Sequence, residues 1–102
     1  MQFIELNSAG QISEIISKSH NQAIYIFKYS PYCMTSTNIR NNLTIWPYNL
    51  IVYRLDCVTL RPLSQQISTE FNIVHQSPQL LKIENGKCTK HSSHGNIQAN
   101  NI

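Results

Sequence analysis

The sequence predicts an α/β fold, with one mixed sheet and helices on both of its faces. Apolar, β-branched and aromatic runs of strand length alternate with segments whose apolar residues recur at helical spacing. Towards the end of the chain the pattern changes, and Asn85-Gly86 joins two strand-like runs in a hairpin signature. No repeat or low-complexity tract interrupts this order. Strands joined through helices are parallel and strands joined by a tight turn are antiparallel, so both kinds belong to one sheet.

Phe3-Ile4-Glu5-Leu6 is a short first strand. Ser8 is placed to cap a helix through Ile12, Ile15 and Ile16, whose spacing gives a single apolar face. Residues 23–29, opening Ala23-Ile24-Tyr25-Ile26-Phe27, form a buried central strand, which Ser30-Pro31-Tyr32 breaks. From Cys33 onward Met34, Ile39 and Leu43 fall near helical spacing, and Trp46-Pro47 ends that element. Leu50–Leu55 is another interior strand. Arg61-Pro62 opens a helix carrying Leu63, Ile67 and Phe71, with Pro62 in the first turn where its missing N–H costs nothing. Leu80–Ile83 and Cys88–His91 then flank Glu84-Asn85-Gly86-Lys87, a type I′ turn signal. Ser92–Asn96 turns into a brief C-terminal helix that extends to Ile97. The order β-α-β-α-β-α-β-β-α is the thioredoxin-like one, in a single domain over residues 1–102.

Hydrophobic residues make up 41% of the 102 residues and charged residues 13%, with a net charge of +3, which describes a globular, mildly basic chain. Arg40, Arg54 and Arg61 are scattered, and no basic run interleaved with aromatics follows a phosphate backbone, so nucleic acid is not an expected partner. No apolar run approaches the roughly 20 residues of a spanning helix, and Met1–Glu5 lacks the basic start of a signal peptide. A cytoplasmic location is the expectation, with no membrane partner. Cys33, Cys57 and Cys88 form an odd set without close pairs, which fits a reduced compartment better than a disulfide framework.

Cys33 carries the chemistry. It stands where a strand turns into a helix, and the unpaired N–H groups and positive dipole end of a helix start stabilise a thiolate. A free thiol titrates near roughly 8.5, and such settings lower this to about 3.5–7.5. Lys28 is expected to add positive potential. Downstream, Ser77-Pro78 immediately precedes a sheet strand, where proline is tolerated only at the edge, and a cis bond would reconcile the two. In a thioredoxin-like fold the Ser77 backbone then faces Cys33 and can pair with an extended disulfide substrate as a short added strand. His75, just before this edge, is placed either to contact substrate or shift the Cys33 titration, or to serve as a surface or capping residue. The spacing of His75, His91 and His94 matches no common zinc pattern, so no metal or other cofactor is expected.

The chain resembles the YtxJ-type monothiol bacilliredoxins of the thioredoxin superfamily over roughly residues 20–99. The resemblance rests on Phe27-Lys28-Tyr29-Ser30 before Cys33, on Arg61-Pro62-Leu63-Ser64, on His75-Gln76-Ser77-Pro78-Gln79, and on Asn85-Gly86-Lys87 followed by His91-Ser92-Ser93-His94. It implies a single cysteine, Cys33, that takes bacillithiol from protein mixed disulfides onto itself, with Ser36 where a dithiol relative carries its resolving cysteine. The partners implied are bacillithiolated or otherwise thiolated proteins and a low-molecular-weight thiol. Tyr32 and Met34 flank the cysteine, and Met34 replaces the proline usual in relatives, freeing one more N–H. By analogy with glutaredoxins, Ser93 and His94 at the last helix start would receive a carboxylate of the small thiol. With no second thiol at Ser36, resolution falls to an outside thiol. Cys57 and Cys88 read as packed or edge thiols.

Two other classes compete with this reading. A cysteine phosphatase needs five residues between cysteine and arginine, and Cys33 and Arg40 enclose six. A non-catalytic adaptor would use the Ser77-Pro78 edge for binding, with Cys33 a bystander or a redox-sensitive site.

Overall fold

The computed structural model describes residues 1–102. Its elements are β1 (Gln2–Glu5), α1 (Gly10–Lys18), β2 (Ile24–Tyr29), α2 (Met34–Leu43), β3 (Ile51–Asp56), α3 (Arg61–Phe71), β4 (Gln79–Glu84) and β5 (Lys87–Ser93), followed by one 3-10 turn at His94–Asn96. The five strands form one sheet in the order β1-β3-β2-β4-β5. Strands β1 and β2 both pair in parallel with β3, while β4 runs antiparallel to β2 and to β5.

Alternation along β2 sorts the core into two layers. Ile24 and Ile26 join Ile12 and Ile15 of α1 and Leu63, Ile67 and Phe71 of α3 on one face. Tyr25 and Phe27 pack with Leu43 of α2, Leu80 and Ile97 on the other. Helices therefore cover both faces, and β2, flanked by β3 and β4, is buried through Lys28. Lys28 is the third residue of the α1/α3 face after Ile24 and Ile26, and it is fully inaccessible.

The hairpin turn has positive φ at Asn85 (51°) and Gly86 (77°), the backbone that a type I′ connection requires. It is pinned to the end of α1, because Asn85 N–H donates to the Ser19 carbonyl at 2.9 Å and Gly86 N–H to Ser19 Oγ at 2.8 Å.

Three expectations are corrected. Ser8 does not cap α1 through its side chain; Ala9 is the N-cap residue. The Gln11 side chain ties the preceding segment to the helix, its Oε1 accepting from the N–H groups of Asn7 and Ser8 while its Nε2 donates to the Glu5 carbonyl. The C-terminal helix is a single three-residue 3-10 turn, because β5 continues through Ser93 and His94 takes a left-handed conformation (φ 53°). Met34 lies outside the apolar face of α2 and is 74% exposed; Ser36 and Leu43 take the buried positions.

Candidate active site

Cys33 is the N-cap residue of α2, with extended backbone (φ −107°, ψ 121°). Ser30 closes the turn that brings it there: Cys33 N–H donates to the Ser30 carbonyl at 3.3 Å and Tyr32 N–H to Ser30 Oγ at 3.3 Å. Ser30 N–H in turn donates to Ser36 Oγ at 3.2 Å, so the first helical turn folds back onto the end of β2. Ser36 is completely buried, whereas Cys33 is partly exposed and Tyr32 is 82% exposed. The Cys33 sulfur thus has solvent access while the hydroxyl three residues on holds the backbone.

The Cys33 thiol closes no side-chain cap bond in its resting geometry. Its pKa is nonetheless lowered, chiefly by the Ser36 backbone N–H, against which partial burial acts, and then by the Thr35 N–H and the Ser36 and Thr35 hydroxyls. These are the unpaired donors of a helix start, and they favour the anion. Lys28 contributes nothing to this shift, contrary to the sequence expectation. Its ammonium points along the α1/α3 face and donates to the Ser64 carbonyl at 3.0 Å and Ser68 Oγ at 2.6 Å, and it lies 3.3 Å from His75 Nδ1.

The second half of the site comes from the far side of β2. Register pairs Lys28 with Gln79, so the start of β4 lies at the same end of the sheet as the turn leading to Cys33. The Ser77-Pro78 bond is cis. Pro78 is buried and Ser77 partly so. Gln79, itself buried, fastens the preceding loop: its Nε2 donates to the Val74 carbonyl at 3.0 Å and its Oε1 accepts from Gln76 N–H at 3.3 Å. His94 N–H donates to the Pro78 carbonyl at 3.1 Å, and His94 Nε2 lies 3.3 Å from Gln76 Oε1. Ser93 ends β5 opposite Gln79 and makes no side-chain cap bond. The helix start expected at Ser93 and His94 is a single 3-10 turn, which aligns few peptide dipoles towards a carboxylate. His94 instead braces the Pro78 loop.

Cys57 is the packed thiol the sequence suggested, but its contact with Ser77 was not foreseen. It follows β3 as a buried thiol whose S–H donates to the Tyr29 carbonyl at 3.1 Å, and its Sγ lies 3.1 Å from Ser77 Oγ. Only the end of an apolar strand marked it in sequence; the contact with Ser77 depends on strand order. Cys88 sits on β5 with its Sγ 3.3 Å from the Lys90 carbonyl, and burial raises its pKa. Arg40 lies over the Tyr29 ring at 5.3 Å and forms no phosphate loop with Cys33. No group of three or more histidine, cysteine or carboxylate side chains could hold a metal ion. The two hollows on the surface lie elsewhere, at the β4–β5 face near Ile102 and, with about 160 Å³, between Ser19–Ala23 and the hairpin turn. Cys33, partly exposed, lines neither of them. No helix is long and apolar enough to cross a membrane.

Comparison with known proteins agrees with this geometry. One solved structure, described as an oxidoreductase with a thioredoxin fold, is 28% identical, covering 97% of this chain and 88% of that one with a TM-score of 0.86. Thioredoxin from Fasciola hepatica superposes with a TM-score of 0.73 at 17% identity, over 99% of this chain and 89% of its own. Schistosoma mansoni thioredoxin pre-protein, in its reduced form, gives a TM-score of 0.72 at 18% identity, over 95% and 90%. The fold is thioredoxin-like. A family model for the monothiol bacilliredoxin BrxC matches residues 4–102. With a thioredoxin fold, one partly exposed thiol at a helix start and a match over nearly all its length, the chain belongs to the monothiol bacilliredoxin family, whose work is thiol redox chemistry.

Proposed function

We propose that the protein removes bacillithiol, or a similar low-molecular-weight thiol, from protein mixed disulfides through Cys33, acting as a single domain. The observation that carries this reading is the pairing of a pKa-lowered thiol at the start of α2 with a buried serine, Ser36, at the position of a second thiol. The Cys33 thiolate attacks the small thiol's sulfur in the mixed disulfide; the protein sulfur leaves as a thiolate and takes a proton from water. Cys33 then carries the small thiol as a new disulfide. A second, external thiolate attacks that small thiol's sulfur, releasing the Cys33 thiolate and a small-molecule disulfide. The α2 N–H groups that favour the Cys33 anion also make it a good leaving group in this second step.

Tyr32 and Met34, exposed on either side of Cys33, and the loop His75-Gln76-Ser77-Pro78 are assigned to the contact with substrate. Neighbours this exposed suit a disulfide carried on a protein better than a small molecule enclosed on its own. Three free cysteines fit a reduced, cytoplasmic setting. The test is intact-mass analysis after incubation with a bacillithiolated protein. Transfer of the bacillithiol mass to this chain, located at Cys33, is the expected result. A substrate that stays loaded, or a Cys33 that alkylates with the pH profile of an ordinary thiol, overturns the reading in favour of an adaptor.

A further inference from the structure

Lys28 is a fully buried cation in the central strand, and exchange at Cys33 makes no direct use of it. Its three N–H groups meet three acceptors: the Ser64 carbonyl, Ser68 Oγ and His75 Nδ1. Two of these belong to α3, and the third belongs to the loop that leads into Ser77. An ammonium has no lone pair, so its contact with His75 makes Nδ1 the acceptor and leaves the ring proton on Nε2. Ser64 Oγ, 3.4 Å from the same nitrogen, can only reinforce that assignment by donating to it. His75 is exposed as a residue, so its Nδ1 is anchored inward while the ring edge bearing Nε2 is free.

We propose that Lys28 is a positioning residue that locks His75 as its Nε2–H tautomer, making His75 a single hydrogen-bond donor beside the Ser77 edge for an oxygen acceptor of the disulfide substrate. The proposal rests on the exchange reaction assigned to Cys33. Two charges face the imidazole, Lys28 from β2 and Arg61 from α3, and no carboxylate is among the groups that shift it. Burial first, then these two cations, lower its pKa and favour the neutral ring, which offers one donor. The acceptor is either a peptide carbonyl or carboxylate of the client protein or a carboxylate of the small thiol; both are oxygen acceptors of the same kind.

The test combines a spectroscopic and a kinetic readout on the full chain. Two-bond ¹⁵N–¹H correlation spectra of the native protein are expected to show His75 as the Nε2–H tautomer, and Lys28→Met to relax it towards a mixture with a higher pKa. In exchange assays, His75→Phe and Lys28→Met are each expected to raise KM about three- to tenfold, the effect of one lost hydrogen bond, with kcat nearly unchanged. Peptide disulfides of bacillithiol and of carboxylate-free 2-mercaptoethanol separate the two acceptors. An effect on both substrates places the acceptor on the peptide, and an effect on the first alone places it on the small thiol. Native protein that exchanges, with a His75 tautomer insensitive to Lys28→Met or with KM unchanged in both variants on both substrates, overturns this inference and leaves the exchange reading intact. Native protein that fails to exchange at all overturns the exchange reading instead. Since Lys28→Met removes a buried charge and keeps the length of the side chain, folding is retained, and Ser68→Ala offers a milder loosening of the same lysine.

Discussion

Cys57 Sγ lies 3.1 Å from Ser77 Oγ, although one follows β3 and the other precedes β4, strands separated in the sheet by β2. The contact passes over the end of β2, where the same sulfur also donates to the Tyr29 carbonyl. Two segments distant in sequence are thereby joined at the carboxyl end of the central strand, the end from which the turn to Cys33 departs.

Cys33→Ser is expected to abolish thiol transfer, since it removes the only cysteine whose thiolate the start of α2 stabilises. Cys57→Ser keeps a donor for Ser77 and Tyr29, and Cys88→Ser changes a β5 residue remote from the turn, so both are expected to retain most activity. Transfer assays on the three variants check this; activity surviving in Cys33→Ser would sink the mechanism.

Alkylation of Cys33 followed against pH is expected to show an inflection below the ordinary thiol value of about 8.5. Thr35→Pro removes one of the backbone donors responsible and is expected to move the inflection upward.

Ser36→Cys is expected to create a dithiol site. The introduced thiol lies one turn from Cys33 at high effective concentration, so oxidation should remove two hydrogens and a captured thiol should be released without added reductant. Losing the Ser36 Oγ acceptor for Ser30 N–H costs about 1 kcal/mol. Mass spectra of oxidised variant and parent decide the outcome; a persistent mixed disulfide in the variant would refute the geometry.

Burial lowers the Lys28 pKa to about 8 in the folded protein. The unfolded chain therefore binds more protons than the folded one between pH 8 and about 10.5, and this group makes stability rise with pH through that window. Lys28→Met is expected to abolish the rise, which amounts to roughly 3 kcal/mol at most, and to bring its largest relative gain at neutral pH. Denaturant melts of both proteins across pH 7–10.5 measure the difference, and parallel curves would contradict it.

At Gly86 the positive φ of 77° makes Gly86→Ala expected to cost about 1 kcal/mol, although the added Cβ would meet Ile16 Cγ2 only at an ordinary 3.4 Å. Gly10→Ala, with open space around it at a helix start, is expected to be neutral or slightly stabilising. Melting midpoints of the pair separate backbone strain from side-chain volume.

Local rules read most of the architecture. Ile24–Tyr29, Ile51–Asp56 and Leu63, Ile67 and Phe71 announce their elements through spacing alone, and Asn85-Gly86 announces its turn. The start of α2 at Cys33 was equally legible, because Ser30-Pro31 breaks the strand just before it. What escaped depended on partners distant in the chain. Lys28 looks like a helpful charge near Cys33 until α3 is seen to collect it at Ser64 and Ser68. Cys57 looks like a packed thiol until strand order sets it against Ser77. Ser93 and His94 looked like a helix start because nothing local reveals that Ser93 stays paired with Gln79 as strand. Ser8 makes no cap bond, and Gln11 instead binds the chain before the helix at Asn7 and Glu5.

Under the exchange proposed for Cys33, a buried hydroxyl at Ser36, three residues from a partly exposed sulfur, sets the rate law of the loaded protein. With no neighbouring thiol to discharge it, the adduct decays in proportion to the concentration of thiol outside. Its lifetime then becomes a gauge of the surrounding thiol pool, lengthening as that pool is depleted, so the fraction of the protein held in the loaded form records how oxidised its surroundings have become.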